Sequence, residues 1–212
     1  MKTTINSLQP IPHSFKLVLL GVVLVCFSPA TIAQPTDQKF AYPKRPFTHD
    51  GKFGTEYEAR EDATIVTLEP IVVEASASGK ELLRLAAVFQ YQGKTPIKPK
   101  HISLGFYGDY PQCKFSGKPE MTMLVDGEPI EFGWNPRGIR ERTPDEEGVA
   151  FSFNEGAGGD KCEEIMFMFI SQKNFLKVVN AKNVGVQIDE LKFKLTESNL
   201  EALRDLASRM LL

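Results

Sequence analysis

ELLRLAAVFQY, residues 81–91, is the stretch that decides the fold. Leu83, Leu85, Ala87, Phe89 and Tyr91 fall on one face of an extended chain, with Arg84 and Gln90 on the other. That period of two marks a half-buried strand. The pattern recurs on both sides of it. Upstream, Thr64–Glu74 is rich in Ile, Val and Thr but is interrupted by Pro70, which predicts an edge strand, a bulge or two short strands. Downstream, Ile102, Leu104 and Phe106 share the inward face of a strand over His101–Tyr107. Met121–Val125 and Pro129–Phe132 flank Asp126-Gly127, a hairpin dipeptide that accepts positive φ. Val149, Phe151 and Phe153 make another inward row. Ile165–Ile170 (IMFMFI) is apolar on both faces, so this strand is expected to be central, with cover above and below.

After Ile170 the period changes. Ser171 is placed to cap a short helix running through Asn180, with Phe175, Val178 and Val179 on its apolar side. A second hairpin follows, with Val184, Val186 and Ile188, a turn at Asp189-Glu190, then Leu191, Phe193 and Leu195. Lys192 and Lys194 face solvent there. Leu200, Leu203, Leu206 and Met210 have helical spacing, and Ser198 to Glu201 is read as a capping box. The fold class is therefore mainly β: an antiparallel β-sandwich of immunoglobulin-like size, with a short helix near 171–180 and a C-terminal helix near 197–210. A partly open β-barrel capped by the C-terminal helix is the alternative.

The N-terminal part carries an address. Lys16 precedes an apolar run from Leu17 to Phe27, and Ser28-Pro29-Ala30-Thr31-Ile32-Ala33 supplies small residues for cleavage after Ala30 or Ala33. Residues 1–33 are thus expected to be a secretory signal peptide. The run is shorter than the roughly 20 residues that cross the hydrocarbon of a bilayer, so no permanent membrane anchor is expected after cleavage. Residues 34–55 read as an extended lead-in containing Pro and Gly, and 56–212 as a single β-rich domain with its C-terminal helix. Removing 1–33 takes away Lys2 and Lys16 and leaves 23 basic against 27 acidic residues. A mildly acidic chain argues against nucleic acid or an anionic membrane as the main partner, since both reward clustered cations, and no nucleic-acid partner is expected. The expected location is periplasmic or extracellular.

Cys26 sits in the apolar run behind the bulky Leu24 and Val25, which do not suit lipid attachment. Cys113 and Cys162 remain in the mature chain, and an even pair in an oxidising compartment reads as a disulfide. Closing that loop is worth roughly 4 kcal/mol in lost unfolded-state entropy. A metal pair would need further ligands, and a redox dithiol would prefer Cys-x-x-Cys spacing.

Candidate chemistry is sparse. His49 and His101 are the histidines beyond the leader, and His49-Asp50-Gly51 reads as a turn. No Gly-x-Ser-x-Gly elbow, HExxH or EF-hand pattern occurs. Glu155, Asp160, Glu163 and Glu164 around Gly156–Gly159 offer oxygens to Ca²⁺, against the simpler reading of solvated acids. No cofactor, metal or catalytic residue is assigned. Trp134-Asn-Pro-Arg-Gly-Ile-Arg-Glu-Arg, opening the loop 134–148, combines the only tryptophan with Arg137, Arg140 and Arg142. Aromatic plus arginine is the composition of interface hot spots. The expected function is a non-catalytic binding or assembly module of the cell envelope, contacting a protein partner through surface loops. One alternative is a secreted hydrolase of envelope polymer or glycan, using paired carboxylates drawn from Glu69, Glu74, Glu131 and Asp145–Glu147. The other is a carrier of a small apolar ligand.

Overall fold

The computed structural model describes residues 39–99, 101–115, 118–133, 147–155 and 162–212. Among them stand ten strands and two helices: β1 (Phe53–Glu58), β2 (Ala63–Ala75), β3 (Leu82–Gln92), β4 (His101–Tyr110), β5 (Met121–Val125), β6 (Glu128–Phe132), β7 (Gly148–Glu155), β8 (Cys162–Ile170), α1 (Gln172–Asn180), β9 (Val184–Ile188), β10 (Leu191–Lys194) and α2 (Glu197–Ala207). They form two antiparallel sheets, of strand order β1-β2-β3-β4-β8-β7 and β10-β9-β5-β6. The sheets stay separate, so the fold is the sandwich and not the barrel.

The alternating rows build the core. Leu83, Leu85, Ala87 and Phe89 of β3 meet Ile102, Leu104 and Phe106 of β4 and Met166, Met168 and Ile170 of β8, all buried on one face. Met121, Met123, Val184, Val186 and Ile188 cover them from the smaller sheet. Phe106 crosses between the sheets to Phe193, edge to face at 6.0 Å. Each such side chain contributes about 1.5–3 kcal/mol of apolar burial, which is what holds two twisted sheets face to face.

Pro70 falls where β1 has ended, and the β2–β3 register shifts between Leu68 and Ile71. The bulge accommodates the residue that lacks an N–H. At the β5–β6 hairpin, Asp126 and Gly127 take φ of 50° and 92°. A two-residue turn makes Val125 and Glu128 the hydrogen-bonding pair beside it, so position 129 faces its backbone away from β5. Pro129 there removes a donor from the outer edge of the sheet, a guard against pairing with other chains.

Two local expectations need correction. Ile165 and Phe167 of β8 are only half-buried. They lie on the outer face, where Phe167 packs edge-on against Tyr107 at 6.1 Å; Phe169, farther along the same face, is buried as expected. The ring of Tyr107 in turn occupies the space that a Cβ on Gly105 would need. The capping box of α2 is Thr196 with Asn199, not Ser198 with Glu201. Asn199 Oδ1 accepts from the Thr196 backbone N–H while its Nδ2 donates to the Val72 carbonyl, so one amide caps the helix and ties it to β2. Glu201 is engaged elsewhere, by Arg45 and Arg204. Ser171 caps α1 as expected, accepting from the Asn174 N–H.

Helix α2 is buried nearly all round because residues 39–52 run along it. Arg45 forms a two-pronged pair with Glu201 at 2.9 and 2.6 Å, and Glu201 also accepts from Arg204 at 2.8 Å. Arg204, itself buried, donates to the carbonyls of Val179 and Ala181 and pairs with Glu197. The Arg45 bond, foremost, holds the Glu201 carboxyl down at about 2. Gly51 passes so close that a Cβ there would meet Leu68 Cδ1 at 2.7 Å and Ala202 Cβ at 3.3 Å. A β-bridge between Phe40 and Leu211 closes the clasp of this segment on the C-terminus.

Candidate binding cleft at the disulfide end

Inward-facing residues of β8 alternate Cys162, Glu164, Met166, Met168, Ile170. The first two of that row hold the loop that follows β4. Cys162 is bonded to Cys113, with 5.1 Å between the Cα atoms. Glu164, fully buried, accepts backbone N–H bonds from Lys114 at 3.0 Å and Phe115 at 2.8 Å. Three consecutive loop residues are therefore tied to one strand, one covalently and two by charge-assisted hydrogen bonds. The neighbouring turn is tied to the same loop: Asp189 Oδ1 accepts from the Glu120 N–H at 2.8 Å, and the Asp189 N–H donates to the Glu120 carbonyl.

Tyr110, the last residue of β4, leans back over Gly108. A Cβ at Gly108 would lie 2.9 Å from Cζ of the ring and 3.0 Å from its hydroxyl, so glycine is what makes room for the tyrosine. Phe115 packs edge-on to the ring at 6.0 Å, and the Lys114 ammonium lies 4.6 Å from its centre. Lys114 Nζ also reaches Glu81 Oε2 at 2.8 Å. The Tyr110 hydroxyl is buried without a hydrogen-bond partner among the described residues. Burial first, then the charges of Glu164, Glu81, Asp109 and Glu74, push its pKa up, so it stays a neutral hydroxyl.

Two adjoining spaces open around this ring. A cavity of about 170 Å³ is lined by Glu74, Ser76, Glu81, Leu82, Leu83, Tyr110, Lys114 and Leu191. A shallower cleft of about 490 Å³ lies between Lys114, Phe115, Asp189, Glu190 and Leu191. Lys114 and Leu191 belong to both and mark their common border.

The residues singled out in the sequence are distributed as follows. Cys113 and Cys162 form the disulfide. Trp134, Arg137, Arg140 and Arg142 lie outside the described residues. The described ends of that loop, Gly133 and Glu147, sit by Val149 and Ser171, at the other end of β8 from Cys162. Glu147 accepts from the Ser171 N–H and the Asn174 amide, which makes it part of the α1 cap. His49 is buried against α2: Nδ1 accepts from the Gly51 N–H, which leaves Nε2–H to donate to Asp205 at 3.3 Å. His101 opens β4. Asp160 lies outside the described residues, while Glu163 and Glu164 point to opposite faces of β8 and do not converge on one ion. Nor is Glu164 a solvated acid. The sulfurs of Cys113 and Cys162 and a Glu164 oxygen do lie within 4.8 Å of one another, but the sulfurs are bonded together and present no thiolate pair.

Tyr110, Lys114 and Phe115 are site residues that the sequence pattern does not single out, and Glu164 enters there only as a calcium ligand or a solvated acid. The signal for Glu164 was present: it is the lone charge in an inward row of Cys, Met and Ile. Among the described residues no helix is long and apolar enough to cross a membrane. No protein-family model, curated protein or solved structure matches this chain.

Proposed function

We propose that the protein is exported to an oxidising compartment and works there as a non-catalytic binding module of the cell envelope, gripping a protein partner with loops of its sandwich. The observation that carries the reading is the triple attachment of Cys113, Lys114 and Phe115 to β8. It holds one wall of the cleft in shape without any ligand, and a preformed wall spares the ordering that binding otherwise has to supply. The disulfide supports the compartment, because such bonds persist where thiols are not kept reduced. The basic and apolar leader at 16–33 supports export. Trp134, Arg137, Arg140 and Arg142 remain in the proposal as a second contact region, on composition alone.

The test is site-specific photo-crosslinking of the exported protein in its own envelope. A crosslinking residue at Glu190, in the cleft, is expected to yield a discrete adduct, and one at Lys192, on the solvent face of β10, none. Equal and diffuse labelling from both positions would refute a dedicated binding end. Release of reducing ends from envelope glycan by the purified protein, abolished in Glu74→Gln, would replace this reading with the hydrolase.

A further inference from the structure

We infer that the small cavity beside Tyr110 is a subsite for a guanidinium group, the side chain of an arginine presented by the partner. This rests on the binding-module reading and names the chemistry it would recognise. The cavity holds about 170 Å³, which is below the roughly 300–1,000 Å³ of pockets for drug-sized ligands and suits a single inserted side chain. Its walls are apolar at Leu82, Leu83 and Leu191 and acidic at Glu74 and Glu81.

The second observation is the Tyr110 hydroxyl. Tyr110 is 2% exposed and lines the cavity, and its ring lies over Gly108, whose cross-strand partners are Leu83 of the cavity wall and Glu164. A buried hydroxyl left unpaired is uncommon and marks a place where a polar group is missing. A guanidinium answers all of these features at once. It carries five donors in a planar fork, enough to reach two carboxylates and a hydroxyl lone pair. Its flat cation also tolerates apolar walls and an aromatic face better than a strongly hydrated ammonium.

Lys114 already shows the preference of the site. Its ammonium sits over the Tyr110 ring and on Glu81, at the border of cavity and cleft, as an internal occupant held from the rim. An incoming arginine would take Glu81 from it and go deeper. Removing the lysine charge should therefore improve binding, an effect opposite to that expected if Lys114 contacted an anionic ligand.

The experiment titrates N-acetyl-argininamide into the oxidised, leader-free protein at low salt and follows amide shifts by NMR. N-acetyl-citrullinamide serves as the neutral isostere. Shifts are expected at 74–83 and 108–115 with the arginine compound and not with the citrulline one. Lys114→Met should tighten binding, and Glu81→Gln and Tyr110→Phe should each weaken it about tenfold, the range of a hydrogen bond to a charged group. Tyr110→Phe should at the same time raise the melting temperature of the free protein, because it removes an unpaired buried hydroxyl. Equal binding of the two compounds, weaker binding by Lys114→Met, or a lowered melting temperature in Tyr110→Phe would overturn the inference. A discrete adduct from position 190 without argininamide binding would remove the guanidinium subsite and leave the binding module standing.

Discussion

Reducing the Cys113–Cys162 bond should destabilise the protein without dismantling its native loop. The two residues are 49 apart in the chain. Closing a loop of that length removes about 14 cal/mol/K from the unfolded ensemble, or about 4 kcal/mol at 25 °C. The native side of the balance should change little, because Glu164 continues to hold Lys114 and Phe115 by their N–H groups. In a domain of about this size, that loss corresponds to a melting temperature lower by about 10 °C. The assay is urea unfolding of the oxidised and the reduced wild-type protein, which avoids the small cavity that replacing buried Cys162 would leave. Reduction should also raise the dependence of stability on urea, since the released chain exposes more surface when it unfolds. Glu164→Gln supplies the cross-check: its cost should be greater in the reduced protein, where no covalent bond shares the work of holding the loop. Oxidised and reduced stabilities within about 1 kcal/mol, or equal costs for Glu164→Gln in both states, would refute the reasoning that two independent ties hold one loop.

Three further perturbations test how the scaffold is held. Gly51→Ala should cost about 1–3 kcal/mol in urea unfolding, because its Cβ would press on Leu68 and Ala202, whereas Gly54→Ala meets open space and should be near neutral. The Glu201 carboxyl, held at about 2 against an ordinary 4.5, contributes stability that is fully present above pH 4.5 and is lost as pH falls toward 2. The stability difference between wild type and Arg45→Ala, measured by urea titration, should therefore be level from neutral pH down to that range and shrink below it. Phe106→Ala, at a fully buried position facing Phe193, should cost about 3–5 kcal/mol by the same measurement.

The scaffold was legible because its signals are local. Leu83 to Tyr91, Ile102 to Phe106 and Val184 to Ile188 each state their own face by alternation, and Asp126-Gly127 and Ser171 mark a turn and a cap within four residues of what they organise. Alternation identifies a face but not what covers it. For that reason Ile165 and Phe167 read as buried when they are half-exposed, and residues 39–52 gave no sign that Arg45 and His49 meet α2 some 156 positions away.

The cleft failed to show for the same reason in stronger form. Its parts come from 74–83, 108–115, 164 and 189–191, and they meet only because β4 pairs with β8 and the β9–β10 turn folds onto the loop after β4. Yet the row Cys162, Glu164, Met166, Met168, Ile170 contains the clue. A charge in such a row must find donors or be expelled, since burying an unpaired carboxylate costs several kcal/mol. The cysteine two places before it names where the donors have to be: in the segment that carries the other half of the disulfide. Lys114 and Phe115 are the residues immediately after Cys113. An inward cysteine followed at the next inward position by an acid therefore predicts more than a bond. It predicts that the loop beyond the partner cysteine is pinned by its backbone, and a pinned loop at the end of a sandwich is where a rigid binding edge should be sought.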